Sequence, residues 1–182
     1  DRHPNKIAFI YRKRLMTYGE VGQSANRFAN GLMSYGISIG DTWAIMSRNS
    51  PEYAISIFGG SQTGGLLVNL LPAYAPDELV TILNKTKVTL IVVEEIFQEK
   101  ISTIADRLPN LKTVVVIGQP GYDGWIPFDR FIAAQTDRNI DLGLSENTPF
   151  AMTFTGGTTG LPKGAMVSHQ ARFVSTYTTA IE

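Results

Sequence analysis

Cysteine is absent from this 182-residue chain. Its absence excludes disulfides, thiolate catalysis and zinc–sulfur sites, and it suits a reducing, cytoplasmic setting. Histidine is almost as scarce: His3 and His169 are too few and too far apart to suggest a metal cluster. An excess of one charge is also lacking. Sixteen basic residues balance 16 acidic ones, so no basic face follows and nucleic-acid binding gets no support. No apolar run approaches the roughly 20 residues that span a bilayer, which leaves only peripheral membrane contact open. The amino terminus has no signal-like character. What is present is an ordinary globular composition, 43% hydrophobic and 18% charged, on a chain long enough for a real core.

Strand-like and helix-like stretches alternate along the chain. Ile7 to Tyr11 and Leu15-Met16 flank the basic run Arg12-Lys13-Arg14, which reads as the solvated turn of a hairpin. Thr17 and Glu20 form a capping box, and Val21, Ala25, Phe28, Ala29, Leu32 and Met33 recur at helical spacing. That spacing predicts a helix over 18–35, ended by Gly36. Trp43 to Met46 reads as a buried strand. Ser50 caps a helix with Pro51 at its first position, and Ala54, Ile57 and Phe58 are expected to face inward. Gly59-Gly60 inside that helix costs about 1 kcal/mol per glycine relative to Ala, so close packing against a sheet is expected there.

Leu66 to Leu70 is the next strand, and Pro76 opens a helix carrying Leu79, Ile82 and Leu83. Val88 to Val93 is a continuous apolar strand of the type buried on both faces. Phe97, Ile101, Ile104, Ala105 and Leu108 mark one further helix, Leu111 to Ile117 a strand, 118–127 a loop and 128–134 a short helix. The pattern predicts an α/β fold with mostly parallel sheet layers flanked by helices. Residues 1–134 form a first α/β layer, 135–149 a polar connection, and 150–182 the start of a further segment.

That segment holds the most informative stretch. After the strand-like run Phe150 to Phe154, residues 155–164 contain four glycines, three threonines and one lysine. Glycines let backbone N–H groups turn inward and approach a ligand closely. Threonine hydroxyls add short donors, and the lysine adds a mobile positive charge. The combination suits a polyanion such as the phosphates of a nucleotide; the alternative is a Gly/Thr turn with a solubilising lysine. It is not the common P-loop, which needs Gly-Lys followed by Ser or Thr at a helix start. Here Lys163 follows Pro162, and Ala165-Met166-Val167 reads as a second strand. Tyr74 and Trp125 are candidate stacking aromatics, with packing the preferred reading. For His169, capping or packing is preferred over a general base.

The run Thr155-Gly-Gly-Thr-Thr-Gly-Leu-Pro-Lys-Gly164 resembles the phosphate-binding signature of the adenylate-forming superfamily: acyl- and aryl-CoA synthetases, nonribosomal adenylation domains and luciferases. Gly156 departs from it, since Ser is commoner there; the Gly-Gly form resembles bacterial fatty acyl-CoA ligases. The resemblance extends through Gly40-Asp41, Asn49-Ser50-Pro51-Glu52, Gly64-Gly65, Leu71-Pro72 and Ala75-Pro76-Asp77-Glu78. It implies ATP-dependent activation of a carboxylic acid, of the fatty acid type, to an acyl-adenylate and then a CoA thioester, with ATP, Mg²⁺ and CoA taking part. A nonribosomal or luciferase-like enzyme, or a non-catalytic nucleotide-binding module, is the alternative.

By the same resemblance, Thr155, Gly156, Gly157, Thr158, Thr159 and Gly160 line the triphosphate, and Lys163 is the cation that stabilises it. No metal ligand is assigned within the chain. Such enzymes are far longer, so the chain is expected to be an incomplete amino-terminal AMP-binding domain, inactive alone, with its principal catalytic residues beyond Glu182.

Overall fold

The computed structural model describes residues 3–155 and 163–181. It opens with an antiparallel hairpin, β1 (Ile7–Tyr11) and β2 (Arg14–Thr17), whose turn holds Arg12 at φ +55°. Helix α1 (Tyr18–Ser34) starts at the expected capping box: the Glu20 N–H donates to Thr17 Oγ1, and the Thr17 N–H donates to Glu20 Oε2. Gly36 follows the helix at φ +87°, a conformation that favours glycine. The chain then alternates through β3 (Thr42–Met46), α2 (Pro51–Gly60), β4 (Leu66–Asn69), α3 (Pro76–Lys85), β5 (Leu90–Glu94), α4 (Gln98–Ser102) and β6 (Thr113–Ile117). It ends with β7 (Ile126–Pro127), α5 (Phe128–Ala133), β8 (Pro149–Thr155), β9 (Lys163–Ser168) and α6 (His169–Ile181).

Seven strands form one sheet in the order β7-β6-β5-β3-β4-β8-β9. Every neighbouring pair is parallel except β8 and β9, which are antiparallel. This is the expected α/β fold with a mostly parallel sheet. β8 pairs directly with β4, so residues 149–155 continue the sheet that β3 to β7 build.

Strand alternation explains how the sheet is buried on both sides. Ala44, Met46, Val68, Ile91, Val93, Val114 and Val116 pack on one face with Leu79, Ile82 and Leu83 of α3 and Ile101 of α4. Trp43, Ile45, Leu67, Leu90, Val92 and Val115 pack on the other with Phe28 and Leu32 of α1, Ile55 of α2 and Phe131 of α5. The ring of Phe28 meets that of Trp43 edge-on at 5.5 Å.

Three expectations need correction. Phe58 points outward and is 54% exposed, while α2 turns Ile55, Ser56, Gly59 and Gly60 inward. The glycines decide the facing: a Cβ on Gly59 would strike the Ala25 carbonyl of α1, and one on Gly60 would strike the Trp43 ring. Second, the helix expected from Phe97 to Leu108 is broken into α4 and two flanking 3₁₀ turns, Glu95–Phe97 and Ala105–Arg107. Ser102 and Thr103 hydroxyls donate to the carbonyls of Glu99 and Lys100, a local competition that loosens short helices. Third, the loop after Ile117 ends in β7, which adds two residues to the sheet edge beside β6.

Candidate functional site

The sheet offers two places where a ligand would meet strand ends. The first is the crevice between β3 and β5, where the chain's crossovers diverge to opposite sides; open parallel sheets commonly bind ligands at such a point. Here an internal ion pair spans the strand ends. Arg48, just after β3, donates its backbone N–H to Glu94 Oε2 at 2.8 Å and its Nε to Oε1 at 3.0 Å. The Glu94 side chain is only 13% exposed. Burial alone would raise its pKa, but the hydrogen bonds and positive charge of Arg48 hold the carboxyl below the usual range.

The second place is the mouth of the β8–β9 hairpin. β8 is built from Phe150 and Phe154, which point into the protein, and from Met152 and Ala151, which are half-buried. β9 returns antiparallel, with Phe154 opposite Gly164 and Thr155 opposite Lys163. The hairpin therefore brings together the first and last polar residues of the Gly/Thr run. Gly156, Gly157, Thr158, Thr159 and Gly160, with Leu161 and Pro162, lie outside the described residues. Gly164 has a packing reason: a Cβ there would lie 2.8 Å from Met152 Sδ and 3.1 Å from the Phe154 ring. Lys163 is exposed at the start of β9. The described residues on either side of the run are strands, β8 before it and β9 after it.

His169 begins α6 and stands edge-on to the Phe150 ring at 5.4 Å. Its backbone N–H donates to the Thr148 carbonyl, and burial pushes its imidazole pKa down. These contacts fit the packing reading. Trp125 rests against Tyr122 at 4.7 Å and against the core, again as packing. Tyr74 is 5% exposed in the core, but its hydroxyl also donates to the Phe154 carbonyl at 2.7 Å. Sequence spacing gives no signal for that contact, because the two residues belong to different elements far apart in the chain. The same is true of the Arg48–Glu94 pair.

The AMP-binding enzyme family matches residues 1–182, the whole length. The chain belongs to the AMP-binding enzyme family. Among relatives of this AMP-binding chain, a medium/long-chain-fatty-acid–CoA/3-oxocholest-4-en-26-oate–CoA ligase from Mycolicibacterium smegmatis is 29% identical over 174 residues. That match covers 93% of this chain and 32% of the relative. A 4-coumarate–CoA ligase 3 from Oryza sativa is 31% identical over 159 residues, covering 87% of this chain and 28% of the relative. The crystal structure of the anthranilate CoA ligase AuaEII in complex with anthranoyl-AMP superposes with a TM-score of 0.89 at 28% identity. It covers 93% of this chain and 33% of that one. The chain thus spans about a third of the length of the relatives it matches.

Among the described residues, no group of three or more His, Asp or Glu side chains is placed to hold a metal ion. The hairpin strands contribute no carboxylate, so they do not by themselves fit a magnesium site. No helix among the described residues is long and apolar enough to cross a membrane.

Proposed function

We propose that the full-length protein activates a carboxylic acid with ATP and passes the acyl group to CoA. A carboxylate oxygen attacks the α-phosphorus, a P–O bond forms, and the bridging P–O bond to the β-phosphate breaks with its electrons leaving on pyrophosphate. The CoA sulfur, losing its proton, then attacks the acyl carbon and AMP departs, leaving a thioester. A carboxylate is a poor acyl donor, and adenylation converts its oxygen into a leaving group. The protein's task in the first step is to hold the triphosphate and offset the charge that builds on departing pyrophosphate.

The observation that carries this reading is the hairpin that sets Thr155 across from Lys163 in an AMP-binding chain. In this reading Thr155, Gly156, Gly157, Thr158, Thr159 and Gly160 present N–H and hydroxyl donors to the phosphates. Lys163 supplies a charge-assisted contact to the β- and γ-phosphates. Mg²⁺ would be held by residues other than those described, and would neutralise charge on the triphosphate. The acid is proposed to be a fatty acid, since relatives include a medium/long-chain fatty-acid ligase. A cytoplasmic location is part of the same proposal. The test is carboxylate-dependent exchange of labelled pyrophosphate into ATP by the full-length protein, over short- to long-chain and aryl acids. Exchange with at least one acid is expected; none with any acid would remove the enzyme reading. Thioester formation with CoA then separates a CoA ligase from an enzyme that loads a carrier protein.

A further inference from the structure

We propose that Tyr74 is a positioning residue of the phosphate site, acting through the peptide that joins Phe154 to Thr155. The assignment rests on the functional reading above and adds a residue outside the Gly/Thr run. β4 and β8 pair up to Asn69 and Thr153. That is the last registered pair, because β4 ends at Asn69. The next carbonyl on β8, that of Phe154, is 3% exposed by residue and would lack a strand partner on this side. The Tyr74 hydroxyl takes that place at 2.7 Å, extending the ladder by one side chain.

A peptide group is planar and trans, so its C=O and N–H point in opposite directions. Fixing the Phe154 carbonyl on Tyr74 therefore fixes the Thr155 N–H pointing away from Tyr74. Thr155 is the first residue of the run proposed to line the triphosphate. The phenol thus holds from the β4 side the peptide that β9 pairs on the other side, at the point where the chain enters that run.

The phenol is itself held firmly. The Tyr74 N–H donates to the Leu71 carbonyl, closing a turn. Lys100 of α4 reaches over that turn and donates its ammonium to the carbonyls of Pro72 at 2.6 Å and Tyr74 at 3.4 Å. Directly after Tyr74, the Ala75 N–H is capped by Glu78 Oε2 at 2.8 Å as α3 begins. The ring packs among buried residues that include Leu79 and Phe154. Burial, then the nearby Glu78 charge, pushes the phenol pKa above its usual value, so the hydroxyl stays a donor. A buried phenol needs a hydrogen-bond partner wherever it packs; here that partner is the carbonyl directly before the Gly/Thr run.

The test is Tyr74→Phe in the full-length protein, which keeps the ring and removes the hydroxyl. Pyrophosphate exchange is measured with ATP and acid varied separately, alongside thermal melting. The KM for ATP should rise about threefold to tenfold, the range expected for one neutral hydrogen bond. The KM for the acid should stay within about twofold. If the parent exchanges pyrophosphate but Tyr74→Phe matches it, or both KM values rise together with a lower melting temperature, Tyr74 is a packing residue only and the assignment falls. If the parent itself shows no exchange, the functional reading fails and takes this assignment with it. Should Tyr74→Phe not fold, Lys100→Met frees the turn while keeping the phenol. It carries the same expectation with a smaller rise in ATP KM, and no rise overturns the proposal.

Discussion

Above the carboxyl ends of β3 and β5, Arg48 and Glu94 close on each other; at the carboxyl end of β8, Thr155 stands across from Lys163. Both places lie on the same edge of one sheet, because β3, β4, β5 and β8 run in parallel. In the first, opposite charges are spent within the protein, and a ligand would have to displace a well-bonded pair. In the second, residues 149–168 carry no acidic side chain at all. In the proposed reading, an arriving triphosphate meets no like charge from these residues. The proposed site thus departs from the general rule that ligands favour the divergence point of an open sheet, where Arg48 and Glu94 already pair with each other.

The comparison is broken most directly at Lys163. In the full-length protein, Lys163→Ala should lose about one to two decades in handling ATP, as expected for a charge-assisted contact of roughly 1.5–3 kcal/mol. Melting should be unchanged. A variant equal to the parent in both ATP KM and kcat would show that the hairpin does not hold phosphate. The opposite pattern is expected of Glu94→Gln: a stability loss of about 1 kcal/mol, discounted because Arg48 is largely exposed, with ATP KM unaltered.

The Glu94 carboxyl also has a sign that pH can read. Its folded pKa lies below the usual carboxylate value, so its contribution is fully present above about pH 4.5 and is lost as pH falls through the folded value. Melting curves from pH 6 to pH 3 should show a shallower acid limb in Glu94→Gln than in the parent; parallel limbs would mean the pair contributes nothing. The smallest effect is expected on α6. Phe173 is 70% exposed, and Phe173→Ser should move the stability of this chain by no more than about 0.5 kcal/mol. A larger loss in chemical denaturation would show that α6 packs more tightly than its exposure indicates.

Local signals carried most of the fold. The Thr17–Glu20 box, Ser50-Pro51 and the alternation of β-branched runs mark element starts that depend on a few adjacent residues, and the structure places them there. Apolar spacing alone favours Phe58 facing inward, whereas the facing of α2 is set by what Gly59 and Gly60 must approach. The break after α4 depends on two hydroxyls turning back on carbonyls, which composition does not show. The Gly/Thr run stands out as a candidate because its residue types state their chemistry. The hold of Tyr74 on Phe154 and of Arg48 on Glu94 was not, since each needs the sheet order before the partners are known to meet.

The pairing of β8 with β4 has a kinetic consequence. Leu67 and Ala151 become neighbours only after the whole of α3, β5, α4, β6, β7 and α5 has been traversed. Closing so long a loop costs entropy before any bond rewards it, and parallel pairings of this kind form slowly. The strand leading to the Gly/Thr run should therefore settle late, onto a sheet already assembled from β3, β5 and β6. Weakening the β4–β8 seam would then speed unfolding far more than it slows folding.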